Sequence, residues 1–154
     1  MAFISPTLCP QGMARADLVS EAVVEDLSVK QAVLAEAEER IGERAVFASN
    51  TSTLPISEIA ARAVHPERVV GLHFFNPAHR MPLVEVIAGN RTSPEAVATV
   101  HALALELGKV PVVVRDSPGF LVNRILMAHM SEAARLLAEG FGIDAVDSAM
   151  KQFG

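Results

Sequence analysis

Two short apolar runs flanking a proline-bracketed loop limit what this chain can fold into more than any other feature. They are VVGLHFF (Val69–Phe75) and LVEVIA (Leu83–Ala88), separated by NPAHRMP. Both runs are rich in β-branched and aromatic residues, both are too short for a typical helix, and prolines at each end of the loop oppose a helix through it. Two strands joined at Pro77–Met81 satisfy all three conditions and form an antiparallel hairpin centred on His79. His73 and Glu85 are each six residues from that centre, so they face each other with Cβ atoms about 4.5–5.5 Å apart. A carboxylate at that separation can fix an imidazole's tautomer and raise its basicity, as a general base requires. A core histidine satisfied by an acidic neighbour is the other reading of the pair, and this stretch alone leaves both open.

The rest of the chain supplies elements for such a hairpin to pack with. Residues 1–15 read as irregular, broken by Pro6, Pro10 and Gly12. ADLVSEAVV (Ala16–Val24) reads as a buried strand ending in Glu25-Asp26. A helical period follows from Ser28 to about Ile41, with Val29, Val33, Leu34, Ala37 and Ile41 on one face. Lys30, Glu36, Glu38, Glu39 and Arg40 fall on the opposite face, read mostly as solvated surface. Ala45–Ser49 reads as a strand, and Ser57 as the cap of a short helix to about Val64. Ser93-Pro94 opens a helix ending at Gly108, with a hydroxyl N-cap and proline in the first turn. Val110–Val114 reads as a strand whose Pro111, near its start, favours an edge or entry position. Beyond Pro118 only helical patterns remain, Phe120 to about Glu139 and Asp144 to Gln152. Alternating strands and helices followed by helices alone predict an α/β domain giving way to a helical one.

Composition excludes several classes of function. Net charge is −5 and the seven aromatics are all Phe, which argues against a nucleic-acid or anionic-membrane surface. The single cysteine, Cys9, cannot form an internal disulfide and has no metal-site spacing around it. No apolar run approaches the ~18–20 residues of a membrane span. The first residues lack a basic segment followed by a long apolar one, so no secretory signal is read and the cytoplasm is the expected compartment.

Open α/β sheets bind ligands outside the carboxyl ends of their strands. The polar residues that follow the predicted strands are Glu25, Asn50 to Ser52, His73 with Asn76, and Asp116, with Asn123 inside the next helix. Taken together they read as one crevice. Taken singly, Asn50 and Ser52 read equally as a turn and an N-cap, and Asn123 as a helix-surface residue.

Four motifs then carry a specific resemblance. ADLVSEAVVEDLSVK, FASNTSTLPISEIA, GLHFFNPAHRMPLVEVI and DSPGFLVNRIL together resemble the L-3-hydroxyacyl-CoA dehydrogenase family, in matching order and spacing from about Ile4 to Gly154. The HRMP and NTSTLPIS wording is most similar to the dehydrogenase part of bacterial multifunctional fatty-acid oxidation proteins. The resemblance implies the C-terminal half of a Rossmann-like NAD-binding domain over residues 1–117, then the start of an all-helical domain over 118–154. It implies NAD as cofactor and oxidation of L-3-hydroxyacyl-CoA to 3-oxoacyl-CoA in fatty-acid β-oxidation. It also implies a homodimer or multienzyme complex for the full-length protein. By position, His73 is the implied general base and Glu85 its orienting carboxylate. Ser52 and Asn123 are implied to hydrogen-bond the reacting oxygen and position the substrate. Glu25, Lys30 and Asn50 are implied to face the cofactor near the nicotinamide ribose.

One departure from the family is visible. The strand, glycine-rich turn and helix N-terminus that receive a dinucleotide's pyrophosphate have no G-x-G-x-x-G counterpart here. The expectation is therefore a fragment that binds NAD weakly alone and is prone to association. A non-catalytic binding or assembly module, and a same-fold dehydrogenase of non-CoA hydroxy acids, stay open as alternative readings.

Overall fold

The computed structural model describes residues 5–153; the predictions for residues 1–4 lie outside these. The described chain forms two compact units, one ending at Phe120 and the other beginning at Leu121.

The first unit is built on a five-stranded sheet in chain order: β1 (Leu18–Glu21), β2 (Val46–Ser49), β3 (Val69–Phe74), β4 (Leu83–Ala88) and β5 (Val110–Arg115). β1, β2 and β3 are mutually parallel, β4 is antiparallel to β3, and β5 is parallel to β4. The hairpin forms in the predicted register, with His73 opposite Glu85. β5 is an edge strand, as Pro111 predicts, and leaves Val110 and Val113 exposed.

Side-chain alternation divides the sheet between two helical layers. Val46, Ala48, Val70, Leu72, Val84 and Val86 point to α3 (Pro94–Glu106), which returns Ala96, Val100 and Ala104 to them. Phe47, Val69 and Ile87 point the other way, to Leu34 and Ala37 of α1 (Leu27–Glu38) and to Ile56 and Ile59 of α2 (Ile56–Ile59). Phe120 closes this second layer. Gly71 lies on the same face because nothing larger fits: a Cβ there would stand 2.7 Å from Cβ of Ile87.

The caps explain where helices begin. Ser93 Oγ accepts from the Ala96 N–H at 3.1 Å, the predicted cap of α3, worth about 1 kcal/mol. Asp26 Oδ1 accepts from the Val29 N–H and opens α1. The cap of α2 corrects the sequence reading. Ser57 lies inside the helix, and both oxygens of Asp116, sixty residues away, accept from the Ile56 and Ser57 N–H groups at 2.8 and 2.7 Å.

Four other readings need correction. The first strand is four residues long rather than nine, because Glu21 Oε1 draws in the Val23 N–H at 2.6 Å and turns the chain. Residues Pro10–Arg15 form a 3-10 helix within the stretch read as irregular. α1 ends at Glu38, whose carboxylate accepts from the Val64 and His65 N–H groups, so Glu38 is more than solvated surface. Lys30, also placed on that surface, is 1% exposed, whereas Val29, assigned to the core face, is exposed.

The second unit consists of α4 (Val122–Ala138) and α5 (Ile143–Phe153), with the turn at Gly140 in a left-handed conformation (φ +99°). Both helices carry exposed apolar residues, among them Ile125, Met127, Met130 and Phe153. Among the described residues no helix is long and apolar enough to cross a membrane.

Candidate functional site

The carboxyl ends of β1, β2 and β3 lie at one end of the sheet because these strands are parallel. Alternation places Glu21, Ser49, His73 and Glu85 on the face that α1 covers, and all four are buried. A buried polar group without a partner costs far more than a partnered one, and these four are partnered by one another and by α1.

At the β3–β4 ladder His73 Nδ1 and Glu85 Oε2 are 2.8 Å apart, with side chains 5% and 0% exposed. An ionised carboxylate only accepts, so this bond puts the imidazole proton on Nδ1 and leaves the lone pair on Nε2. The ring also packs against Phe75 and Phe120, with centroids 4.6 and 5.8 Å away and tilted by 56° and 58°. Packing on these sides restricts the ring to one orientation.

A second cluster is held between β1, α1 and the turn after β2. Lys30 Nζ stands 2.8 Å from Glu21 Oε1, 3.3 Å from Glu25 Oε2 and 3.4 Å from the Val23 carbonyl. Glu21 Oε2 accepts from the Ser49 hydroxyl at 2.6 Å. Glu25 Oε1 accepts from the Thr51 hydroxyl at 2.6 Å, the Ser52 N–H at 3.0 Å and the Thr53 N–H at 3.1 Å. Partial burial alone pushes the Glu25 carboxyl up. The donors from Thr51, Thr53 and Ser52, with the Lys30 ammonium, prevail and hold it at about 2.

Asn50 ties the two clusters together. Its N–H donates to the Glu21 carbonyl at 2.8 Å, and its side-chain carbonyl accepts from the Phe74 N–H, beside His73, at 2.9 Å. The structure therefore brings Glu25, Lys30, Asn50, Ser52, His73 and Glu85 to one region of the first unit. Asn123 lies in the first turn of α4, in the helical unit. Asp116 does not belong to the crevice read from the sequence. It follows β5, which runs against β1–β3, so it leaves the sheet at the opposite end.

Sequence reading missed Glu21 and Ser49, and it placed Thr51 in the crevice without giving it a role of its own. Glu21 was within reach, since the two-residue period of LVSE puts it inward with Val19. The buried role of Thr51 had no such signal, because SNTST reads as turn chemistry throughout. Among the described residues no group of three or more His, Cys, Asp or Glu is arranged to hold a metal ion.

The residues fit one end of a dinucleotide. An accessible carboxylate (39% exposed) held by a buried ammonium, at the carboxyl ends of parallel strands, can accept from the vicinal hydroxyls of a ribose.

Residues 1–117 match the family model for the NAD binding domain of 3-hydroxyacyl-CoA dehydrogenase, and residues 119–154 match its C-terminal domain. The fatty acid oxidation complex subunit alpha of Shewanella amazonensis is 52% identical over 154 residues, which is 100% of this chain and 22% of that protein. The chain thus spans about a fifth of the length of that curated relative. The crystal structure of (S)-3-hydroxybutyryl-CoA dehydrogenase from Ralstonia eutropha superimposes with a TM-score of 0.91 at 40% identity, over 94% of this chain and 52% of that one. The 3-hydroxybutyryl-CoA dehydrogenase of Escherichia coli gives 0.85 at 44% identity, over 89% and 29%. The chain belongs to the 3-hydroxyacyl-CoA dehydrogenase family.

Proposed function

We propose that this chain carries the proton-transfer machinery of an NAD-dependent L-3-hydroxyacyl-CoA dehydrogenase, oxidising the 3-hydroxyl to a 3-oxo group in fatty-acid β-oxidation. The observation that carries the reading is the buried His73–Glu85 contact at 2.8 Å, set beside an accessible carboxylate that a buried ammonium holds. NAD, when bound, supplies the acceptor for the hydride lost from C3 of the substrate. His73 takes the hydroxyl proton at Nε2 as that hydride leaves, so no alkoxide accumulates. Glu85 holds Nδ1–H and stabilises the imidazolium that results; a base placed in this way contributes typically ~10²–10⁴-fold. Ser52 hydrogen-bonds the substrate oxygen; for Asn123, in the helical unit, the proposed role is the substrate-positioning one that the family resemblance implies. Glu25 meets the ribose hydroxyls, Lys30 holds Glu25 from the interior, and Asn50 holds the turn that faces the cofactor.

The His73–Glu85 contact supports the chemistry proposed at the substrate oxygen, and family membership supports the acyl-CoA moiety. We further propose a cytoplasmic setting, supported by the acidic charge and the unpaired Cys9. Assembly of the whole protein as a homodimer or within a multienzyme complex is supported by the relatives named as subunits of a fatty acid oxidation complex.

The test is His73→Ala in the full-length polypeptide that carries these residues, assayed for acetoacetyl-CoA reduction with NADH. Turnover should fall by about 10²-fold or more, while NADH affinity measured by fluorescence titration stays within about twofold. Retained turnover would remove His73 from the chemistry. Turnover of a free hydroxy acid in preference to its CoA thioester would overturn the substrate assignment.

A further inference from the structure

We infer that Thr51 is a positioning residue: its hydroxyl locks the turn after β2 against Glu25 and thereby sets where Ser52 stands. The kinetic part of this inference rests on the dehydrogenase reading above; the structural part does not.

Thr51 has no exposed surface, although Ser52 and Thr53 beside it are exposed. Its Oγ1 donates to Glu25 Oε1 at 2.6 Å and accepts from the Leu54 N–H at 2.9 Å and the Thr53 N–H at 3.3 Å. One hydroxyl therefore closes the turn on itself and also fastens it to a carboxylate. Of the donors that reach Glu25 Oε1, it makes the shortest bond.

Glu25 is a fixed point for this purpose. Its other oxygen faces Lys30, and Lys30 is held by Glu21, which has no exposed side-chain surface. The frame runs from a buried ion pair, through Glu25, to the turn that carries Ser52. Without the Thr51 hydroxyl, the Leu54 N–H loses its partner, and the turn hangs on Glu25 only through the N–H groups of Ser52 and Thr53 and the Thr53 hydroxyl. The Glu25–Lys30 pair stays in place. The defect should therefore appear in how Ser52 meets the substrate oxygen more than in how the cofactor is held.

Thr51→Val keeps the shape and removes the hydroxyl; Thr51→Ser keeps the hydroxyl. Amide hydrogen exchange at Thr53 and Leu54 in the cofactor-free protein is the first readout. Exchange should quicken by about tenfold in Thr51→Val, the scale of losing hydrogen bonds to a shared, charge-assisted hub, and return in Thr51→Ser. In the full-length enzyme, kcat should fall by about tenfold for Thr51→Val with KM for NAD changed by less than about threefold. In a Ser52→Ala background the same change should cost less than about twofold, because a residue acting through Ser52 has nothing left to position. If Thr51→Val does not fold, Thr51→Ala replaces it in every arm. Unchanged exchange at both amides overturns the inference, as does an equal kcat loss with and without Ser52. A wild-type enzyme without NAD-linked turnover would instead refute the dehydrogenase reading, and the exchange arm would still decide the role of Thr51.

Discussion

Replacing Lys30 with methionine should cost more stability than any other single loss of charge in the first unit. The Lys30 ammonium is 1% exposed and 2.8 Å from a Glu21 carboxylate that has no exposed side-chain surface. Breaking a buried pair from one side costs ~3–5 kcal/mol, because the remaining charge stays desolvated and unpaired. Glu21 would keep two donors, the Ser49 hydroxyl and the Val23 N–H, both at 2.6 Å, which places the expectation near the lower end, about 3 kcal/mol. For a unit of this size that corresponds to roughly 10–15 °C in Tm. Urea denaturation followed by far-UV circular dichroism gives the midpoint and slope from which the loss is read. The control is Glu21→Gln/Lys30→Met, which leaves no buried charge at either position and should recover at least about 1.5 kcal/mol relative to the sum of the two single changes. A Lys30→Met cost below about 1 kcal/mol, or strict additivity in the cycle, would refute the claim that Lys30 and Glu21 balance each other in the interior.

Two further outcomes follow from the same face of the sheet. Gly71→Ala sets a methyl 2.7 Å from both Cβ and Cδ1 of Ile87 and should cost ~1–3 kcal/mol. Ile87→Val in that background removes Cδ1 but keeps Cβ, so it should restore only part, and full restoration in urea melts would contradict the packing. Glu25 titrates near 2 in the folded chain against an ordinary value of 4.5. Its folded pKa is depressed, so the stability it contributes is present above 4.5 and is lost as pH falls through about 2. Glu25→Gln should make the urea midpoint less sensitive to pH across that window; midpoints that fall in parallel for both proteins would show that its hydrogen bonds add nothing.

How much of this was legible depended on whether the information was local. The hairpin was, because loop and strand lengths place His73 and Glu85 symmetrically about His79, and a one-residue slip of the ladder would turn one of them to the other face. The caps divided on the same principle: Ser93 caps the helix that begins next to it, whereas Asp116 reaches α2 from sixty residues away. Lys30 was misplaced because helical periodicity sorts residues by hydropathy and does not register that an acidic strand end can hold an ammonium inside. Asp116 was assigned to the wrong end of the sheet because a strand pattern carries no direction, and direction reverses between β3 and β4. The role of Thr51 remained hidden since a buried threonine serving as a hub and an exposed one in a turn have the same neighbours in sequence.

That reversal of direction has a consequence for how such a site tolerates change. His73 comes from the end of one strand and Glu85 from the beginning of the next, so the contact between them is a rung of the ladder and not a product of the connecting loop. Residues 76–82 can vary in length or sequence without moving the imidazole relative to its carboxylate, provided Phe75 and the rungs at Gly71–Ile87 and Leu72–Val86 persist. Drift in the loop can alter what is bound near the histidine while the proton-handling pair is inherited unchanged. Within this architecture, substrate range and reaction chemistry are free to evolve at different rates.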